Sequence, residues 1–193
     1  MQEQAGAPLS ATDPPEPSDE SRTGPGQRSV LRWYVVAAVL TLLVDQGSKA
    51  WAVRALDGGT AVPLVGDLLS LRLIRNSGAA FSIGDSMTWV MTLIAIGVTV
   101  AIIAVATRIG SARWSLALGL LLGGSLGNLG DRFFRDPGPL HGHVVDFIDY
   151  GGLFVGNVAD IAIVVGAAVL VWLVFTNIEM DGTRRDPEEG SDG

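Results

Sequence analysis

The side chains able to do chemistry fall in a few short stretches of an otherwise apolar chain. Asp45 and Lys49 stand four residues apart, Asn128 and Asp131 three, Asn128 and Arg132 four, and Asn157 and Asp160 three. On a helix each of these spacings puts both side chains on one face. Asp146 stands between the last two groups. Polar and ionisable groups inside an apolar bundle are expensive, so such a cluster defaults to a functional role. Asp146 and Asp160 suit one chemistry best. Two carboxyl groups close together in a poorly solvated site cannot both ionise easily, so one keeps a proton while the other is a base. The base takes a proton from water, and the water attacks a peptide carbonyl. The acid then protonates the carbonyl oxygen or the leaving amine. For Asp45–Lys49 and for Arg132 with Asp131, a role in holding the bundle together by ion pairs and hydrogen bonds is an equal alternative.

Other chemistries have little to stand on. The chain has no cysteine, which excludes a thiol nucleophile, a disulfide framework and a Cys-ligated metal. Its two histidines, His141 and His143, lie with Asp146 and Asp149 in a short Gly/Pro-rich stretch. No metal-binding pattern accompanies them, so solvated histidines are the expectation and neither metal nor cofactor is assigned. Gly123-Gly124-Ser125-Leu126-Gly127 matches G-x-S-x-G, but that pattern needs a strand-to-helix elbow. Here it sits in an apolar helical run, where Gly119, Gly123 and Gly127 form consecutive G-x-x-x-G steps suited to close helix packing. The net charge of −7 comes largely from the two ends, and no basic patch argues for nucleic acid.

Four helices are needed to bring the polar groups together. Residues 1–29 and 179–193 are polar tails expected to be disordered, and residues 30–178 make the membrane domain. Spans are expected from about Trp33 to Val53, Ser86 to Thr107, Trp114 to Gly130 and Leu153 to Ile178, each near the roughly 20 residues that cross hydrocarbon. Trp33, Trp51, Trp89 and Trp114 sit near span ends, as interfacial indoles do; Trp172 does not. Chain direction alternates, so Asp45 and Lys49 late in span one, Asn128 to Arg132 at the end of span three, Asp146 in the connection and Asp160 early in span four meet at one end, opposite both tails. Measured from Leu153, Asp160 is some seven residues, or roughly 10 Å, along its helix. Between spans one and two, Leu69, Leu71 and Leu73 alternate with Ser70 and Arg72 as in a strand with one wetted face. The fold class is therefore an all-α membrane protein with four transmembrane helices and a small surface β-sheet. Lys and Arg are split seven on the tail side and six on the other, so charge alone does not orient it.

These stretches resemble the boxes of one family. Asp45-Gln46-Gly47-Ser48-Lys49 resembles the D-Q-x-x-K box of the lipoprotein signal peptidases (signal peptidase II). Asn76-Ser77-Gly78-Ala79-Ala80-Phe81 resembles N-x-G-A-A-F, and Gly127-Asn128-Leu129-Gly130-Asp131-Arg132 resembles G-N-x-x-D-R. Val145-Asp146-Phe147 and Asn157-Val158-Ala159-Asp160 are similar to V-D-F and N-x-A-D. The boxes occur in order over about residues 31–178. The resemblance implies a membrane-embedded aspartyl endopeptidase of the bacterial cell membrane. Such an enzyme removes the signal peptide of prolipoproteins just before a diacylglyceryl-modified cysteine. It further implies that Asp146 and Asp160 are the catalytic dyad, and that Asp45, Lys49, Asn76, Gly78, Asn128, Asp131, Arg132, Asn157 and Ala159 shape the site or bind substrate. The sheet and an amphipathic surface helix would lie outside the cytoplasm, with both termini inside. The partners would be the lipidated prolipoprotein and membrane lipids, and nothing points to a particular oligomeric state. One position departs: Gly156 stands where the family usually has Phe. The alternative from another class is a small transporter or proton channel using the same intramembrane carboxylates. Against it, there is no inverted repeat and no polar route to the other face. A scaffold subunit would explain the glycines but not the acid pair.

Overall fold

The computed structural model describes residues 25–78 and 88–184. Four helices carry most of the chain: α1 (Pro25–Ala55), α2 (Thr88–Ala106), α3 (Ala112–Phe134) and α4 (Val158–Phe175). Four strands, β1 (Val62–Val65), β2 (Leu69–Asn76), β3 (Val144–Asp149) and β4 (Val155–Gly156), form one antiparallel sheet in the order β1-β2-β3-β4.

Among the described residues, three helices are long and apolar enough to cross a membrane: α1 from Ser29, α2 and α4. Their outward faces are what bilayer solvation demands. Leu43, Val100, Val164 and Val174 are each about 60% exposed or more, a cost in water but not in lipid. The expectation of four spans is met for these three. The remaining helix, α3, carries Arg113, Asn128, Asp131 and Arg132 and packs against α1, α2 and α4.

Glycine makes that packing possible. A Cβ on Gly119 would meet Ala37 and the Tyr34 carbonyl of α1 at 2.7 Å, and one on Gly123 would meet Thr41 and the Ala38 carbonyl at 2.5 Å. On another face of α3, a Cβ on Gly124 would meet the Ala159 carbonyl of α4 at 2.6 Å. Backbones this close leave no room for larger side chains, so the glycine stripe is a packing surface, as expected.

Several boundaries differ from expectation. α1 starts at Pro25, inside the expected tail; proline suits the first helical position because its missing N–H has no helical partner there. α4 starts at Val158, not near Leu153, because Val155–Gly156 pair with β3 and Asn157 caps the helix. Asp160 is thus in the first turn, not seven residues along. Residues 179–184, expected to be tail, form a turn: the Gly110 N–H donates to the Met180 carbonyl, and Ile178 bridges Arg184. Met180 packs on the cluster built from Tyr34, Ile102, Ile109 and Leu118, which anchors the turn. The amphipathic surface helix does not occur among the described residues, and 79–81 of the N-x-G-A-A-F box lie outside them.

Candidate active site

The sheet sets one half of the site and α4 the other. In β3, Asp146 lies opposite Ile74 of β2, and Val144 lies opposite Asn76. That register brings the Asn76 amide to Asp146, where Nδ2 donates to Oδ2 at 2.8 Å. The Asn76 oxygen accepts the Gly78 N–H at 2.7 Å, which fixes the way the amide faces. Gly78 has φ +86, and a Cβ there would lie 3.0 Å from Nη2 of Arg132. Only glycine meets both the left-handed backbone and the close approach. Buried Arg132 in turn donates from Nη1 to the Ser77 carbonyl at 3.3 Å.

At the start of α4, Asn157 and Asp160 form a capping box. The Asp160 N–H donates to Asn157 Oδ1 at 3.1 Å, and the Asn157 N–H donates to Asp160 Oδ2 at 3.0 Å. This reciprocal bonding satisfies two orphan donors of the helix end and locks the Asp160 rotamer. Asn157 Nδ2 reaches across to donate to Asp146 Oδ1 at 2.6 Å. Asn128 of α3 donates from Nδ2 to Asp160 Oδ1 at 2.9 Å. Both carboxylates therefore face a common cavity of about 430 Å³, lined also by Asn76, Ser125, Asn128 and Arg132 and by Met91, Ile94 and Val98 of α2. Asp146 is 2% exposed. Burial pushes its carboxyl up to about 6, and the charge of Asp160 adds to the rise. Hydrogen bonds from Asn76 and Asn157 and the Lys49 charge pull the other way.

Behind the cavity wall lies a buried ionic cluster. Lys49 Nζ is 2.9 Å from Asp45, 2.9 Å from Asp131 and 2.8 Å from Asn128 Oδ1. Ala159 takes part through its backbone, its N–H donating to Asp45 Oδ1 at 2.9 Å. Two members of the cluster are additional to the expected set. Gln46 bonds Asp45 and the Gly127 carbonyl, and Arg135 Nε lies 2.6 Å from Asp131. Arg135 could have been found from its i,i+4 spacing after Asp131, and Gln46 from its place beside Asp45.

The structure thus brings every expected site residue to one end of the bundle. Asp146 was expected in a loop and sits in a strand. Gly156 carries no side chain where a Cβ would lie 3.1 Å from Asp160 Oδ2. Ser125 borders the cavity from the interior of α3, without an elbow. His141 is exposed, with Nδ1 3.2 Å from the Pro139 carbonyl.

Comparison with known proteins decides the family. The profile described as Signal peptidase (SPase) II matches residues 37–176. The chain belongs to the signal peptidase II family. Similar members include the lipoprotein signal peptidase of Rhodococcus jostii (strain RHA1), 46% identical over 93% of this chain and 87% of the relative. That of Mycobacterium tuberculosis (strain H37Rv) is 48% identical over 83% of this chain and 79% of the relative. Among solved structures, a bacterial membrane enzyme determined by the in meso method at 1.9 Å resolution aligns with TM-score 0.63 and 25% identity. The match covers 75% of this chain and 93% of that one. Membership in the signal peptidase II family leaves the transporter and scaffold alternatives without support.

Proposed function

We propose that this signal peptidase II removes the signal peptides of prolipoproteins by aspartyl catalysis at Asp146 and Asp160. The observation that carries the reading is the pair's setting: two carboxylates from different elements, each fixed by amides, border one cavity, and burial pushes the Asp146 carboxyl up to about 6. Asp146, the more buried, holds the shared proton; Asp160 is the base. A water between them loses a proton to Asp160 as its oxygen adds to the scissile carbonyl. Asp146 protonates the carbonyl oxygen to give a gem-diol; as the C–N bond breaks, Asp160 passes its proton to the leaving amine and a gem-diol hydroxyl returns one to Asp146, leaving the carboxylic acid and the resting dyad. Asn76, Asn128 and Asn157 keep the carboxyl oxygens aimed without competing for the proton.

The substrate reading follows the same geometry. Met91, Ile94 and Val98 give the cavity an apolar flank on α2, suited to a signal helix lying in the bilayer. Asp160 lies only about 3 Å past the start of α4 at 1.5 Å per residue, close to the boundary between headgroups and acyl chains. A diacylglyceryl-modified cysteine is held at that depth by its own chains, which rest in lipid. We take α3 as the fourth span, with the sheet and the carboxylates at the outer face and both termini in the cytoplasm. The test is cleavage of a purified lipidated prolipoprotein. Wild type releases the signal peptide; Asp146→Asn and Asp160→Asn, inserted to the same level, do not. Near-normal turnover in either variant removes the dyad.

A further inference from the structure

The Lys49 ammonium has three donors, and the structure gives it three acceptors: Asp45, Asp131 and Asn128. Each leads in one further step to the reacting groups. Asp45 Oδ1 accepts the N–H of Ala159 at 2.9 Å, and Ala159 immediately precedes Asp160. Asp131 Oδ2 accepts the N–H of Val145 at 3.1 Å, and Val145 immediately precedes Asp146. Asn128 donates directly to the Asp160 carboxylate. Lys49, Asp45, Asp131 and Asn157 are all 1% exposed or less.

We propose that Lys49, Asp45 and Asp131 are positioning residues, a single brace that sets the separation of Asp146 and Asp160 by holding the backbone amide before each. The proposal rests on the aspartyl reading above. The two carboxylates come from a strand and a helix end; Asn157 links their side chains, and the brace adds a hold on the residue before each. The N–H of Ala159 is one of the first-turn donors that α4 cannot satisfy internally. Asp45 supplies its acceptor from α1. Asp131 does the same for β3 from α3. Lys49 ties the two acceptors together, lying 2.9 Å from each. Three helices and the sheet are thereby referred to one nitrogen atom. None of the three side chains lines the cavity that the two carboxylates border. The brace acts on the geometry of attack, where displacements of about 1 Å cost roughly a hundredfold in rate.

The first test compares Asp131→Leu with Asp131→Asn in detergent-purified enzyme, with folded protein quantified and kcat and KM measured separately on a lipidated prolipoprotein. Asp131 uses Oδ2 for both Val145 and Lys49 and Oδ1 for the half-buried Arg135; with its amide oxygen in the Oδ2 place asparagine keeps the first two contacts and gives up Arg135, whereas leucine keeps none. The brace predicts that kcat per folded molecule falls about 10- to 100-fold in Asp131→Leu with KM little changed, and that Asp131→Asn restores most of it. A role confined to stability would lower the yield and the Tm and leave kcat per folded molecule at the wild-type value, and that outcome overturns the proposal. So does equal loss in both variants. If Asp131→Leu does not fold, backbone esters decide. Replacing Val145 or Ala159 by the matching α-hydroxy acid deletes one N–H and keeps the side chain. A fall in kcat at unchanged KM supports the brace, and wild-type kcat overturns it. Asp160→Asn runs alongside as the separate test of the dyad: an active Asp160→Asn overturns the aspartyl reading, whereas an inactive one beside a fully active ester variant overturns the brace alone.

Discussion

Asp146 and Asp160 are held by asparagine amides in different ways, and the proposed mechanism gives them different work. Asp146 is buried between Asn76 and Asn157, while Asp160 takes part in its own helix cap. Asp146→Asn and Asp160→Asn are each expected to lower kcat by at least about 10²–10⁴-fold, the usual worth of a general acid or base, with insertion unchanged on a membrane-fraction blot. In the proposed mechanism the proton on Asp146 gives a pH dependence whose sign is fixed. Its carboxyl is pushed up to about 6, so in the free enzyme the proton is present below that pH and lost above it. Asn76, Asn157, Asp160, Arg132 and Lys49 face it, and burial is the largest cause. The alkaline limb of kcat/KM is expected near pH 6. Bound substrate displaces water and raises the value further, so the limb of kcat should lie at higher pH. Coincident limbs, or an acid limb alone near 6, would assign the proton elsewhere. The polar residues themselves were readable in the sequence because ionisable groups are rare in apolar spans. The contact between Asn76 and Asp146 was not, because it depends on the β2–β3 register, which no single stretch of sequence encodes.

Among the elements, α3 is the one whose sequence and position explain each other. Its glycines were legible as a packing stripe, and the structure places Gly119 and Gly123 against α1 and Gly124 against α4. Gly123→Ala is expected to destabilise the protein by about 1–3 kcal/mol, the usual cost of overpacking, seen as a lower Tm in detergent. Ser125→Ala should keep near wild-type turnover, since the hydroxyl has no part in the proposed chemistry. A folded but inactive alanine variant would return attention to a serine mechanism. The start of α4 shows what periodicity alone misses. A long apolar run invites extension back to Leu153, but Asn157 with an acid three residues later is the cap signature that ends the run at Val158. β3 was likewise hidden: Val144, Val145, Phe147 and Ile148 are strand formers, yet six residues between two helices read as a connection until β2 pairs with them.

For the molecule as a whole, orientation is the property that the near-even charge count leaves to chemistry. Thiols introduced by Thr60→Cys and Arg108→Cys, both exposed and at opposite ends of the bundle, should differ in labelling by an impermeant maleimide added to intact cells. Thr60→Cys is expected to react and Arg108→Cys to react only after lysis; the reverse would put the carboxylates on the cytoplasmic side. The ionic cluster has a further consequence, for the order in which the bundle is made. In α1, Lys49 finds Asp45 one turn earlier, and at the C-terminal cap of α3, Arg135 finds Asp131 one turn earlier. Each helix therefore brings its own counter-ion. A segment leaving the insertion machinery with such a pair adds no net charge to the bilayer from these groups, so α1 need not wait for α3 to be synthesised before it is released into lipid. Only when the two helices meet does Lys49 turn to Asp131 as well, and the pairs that eased separate insertion become the contact that makes separation costly.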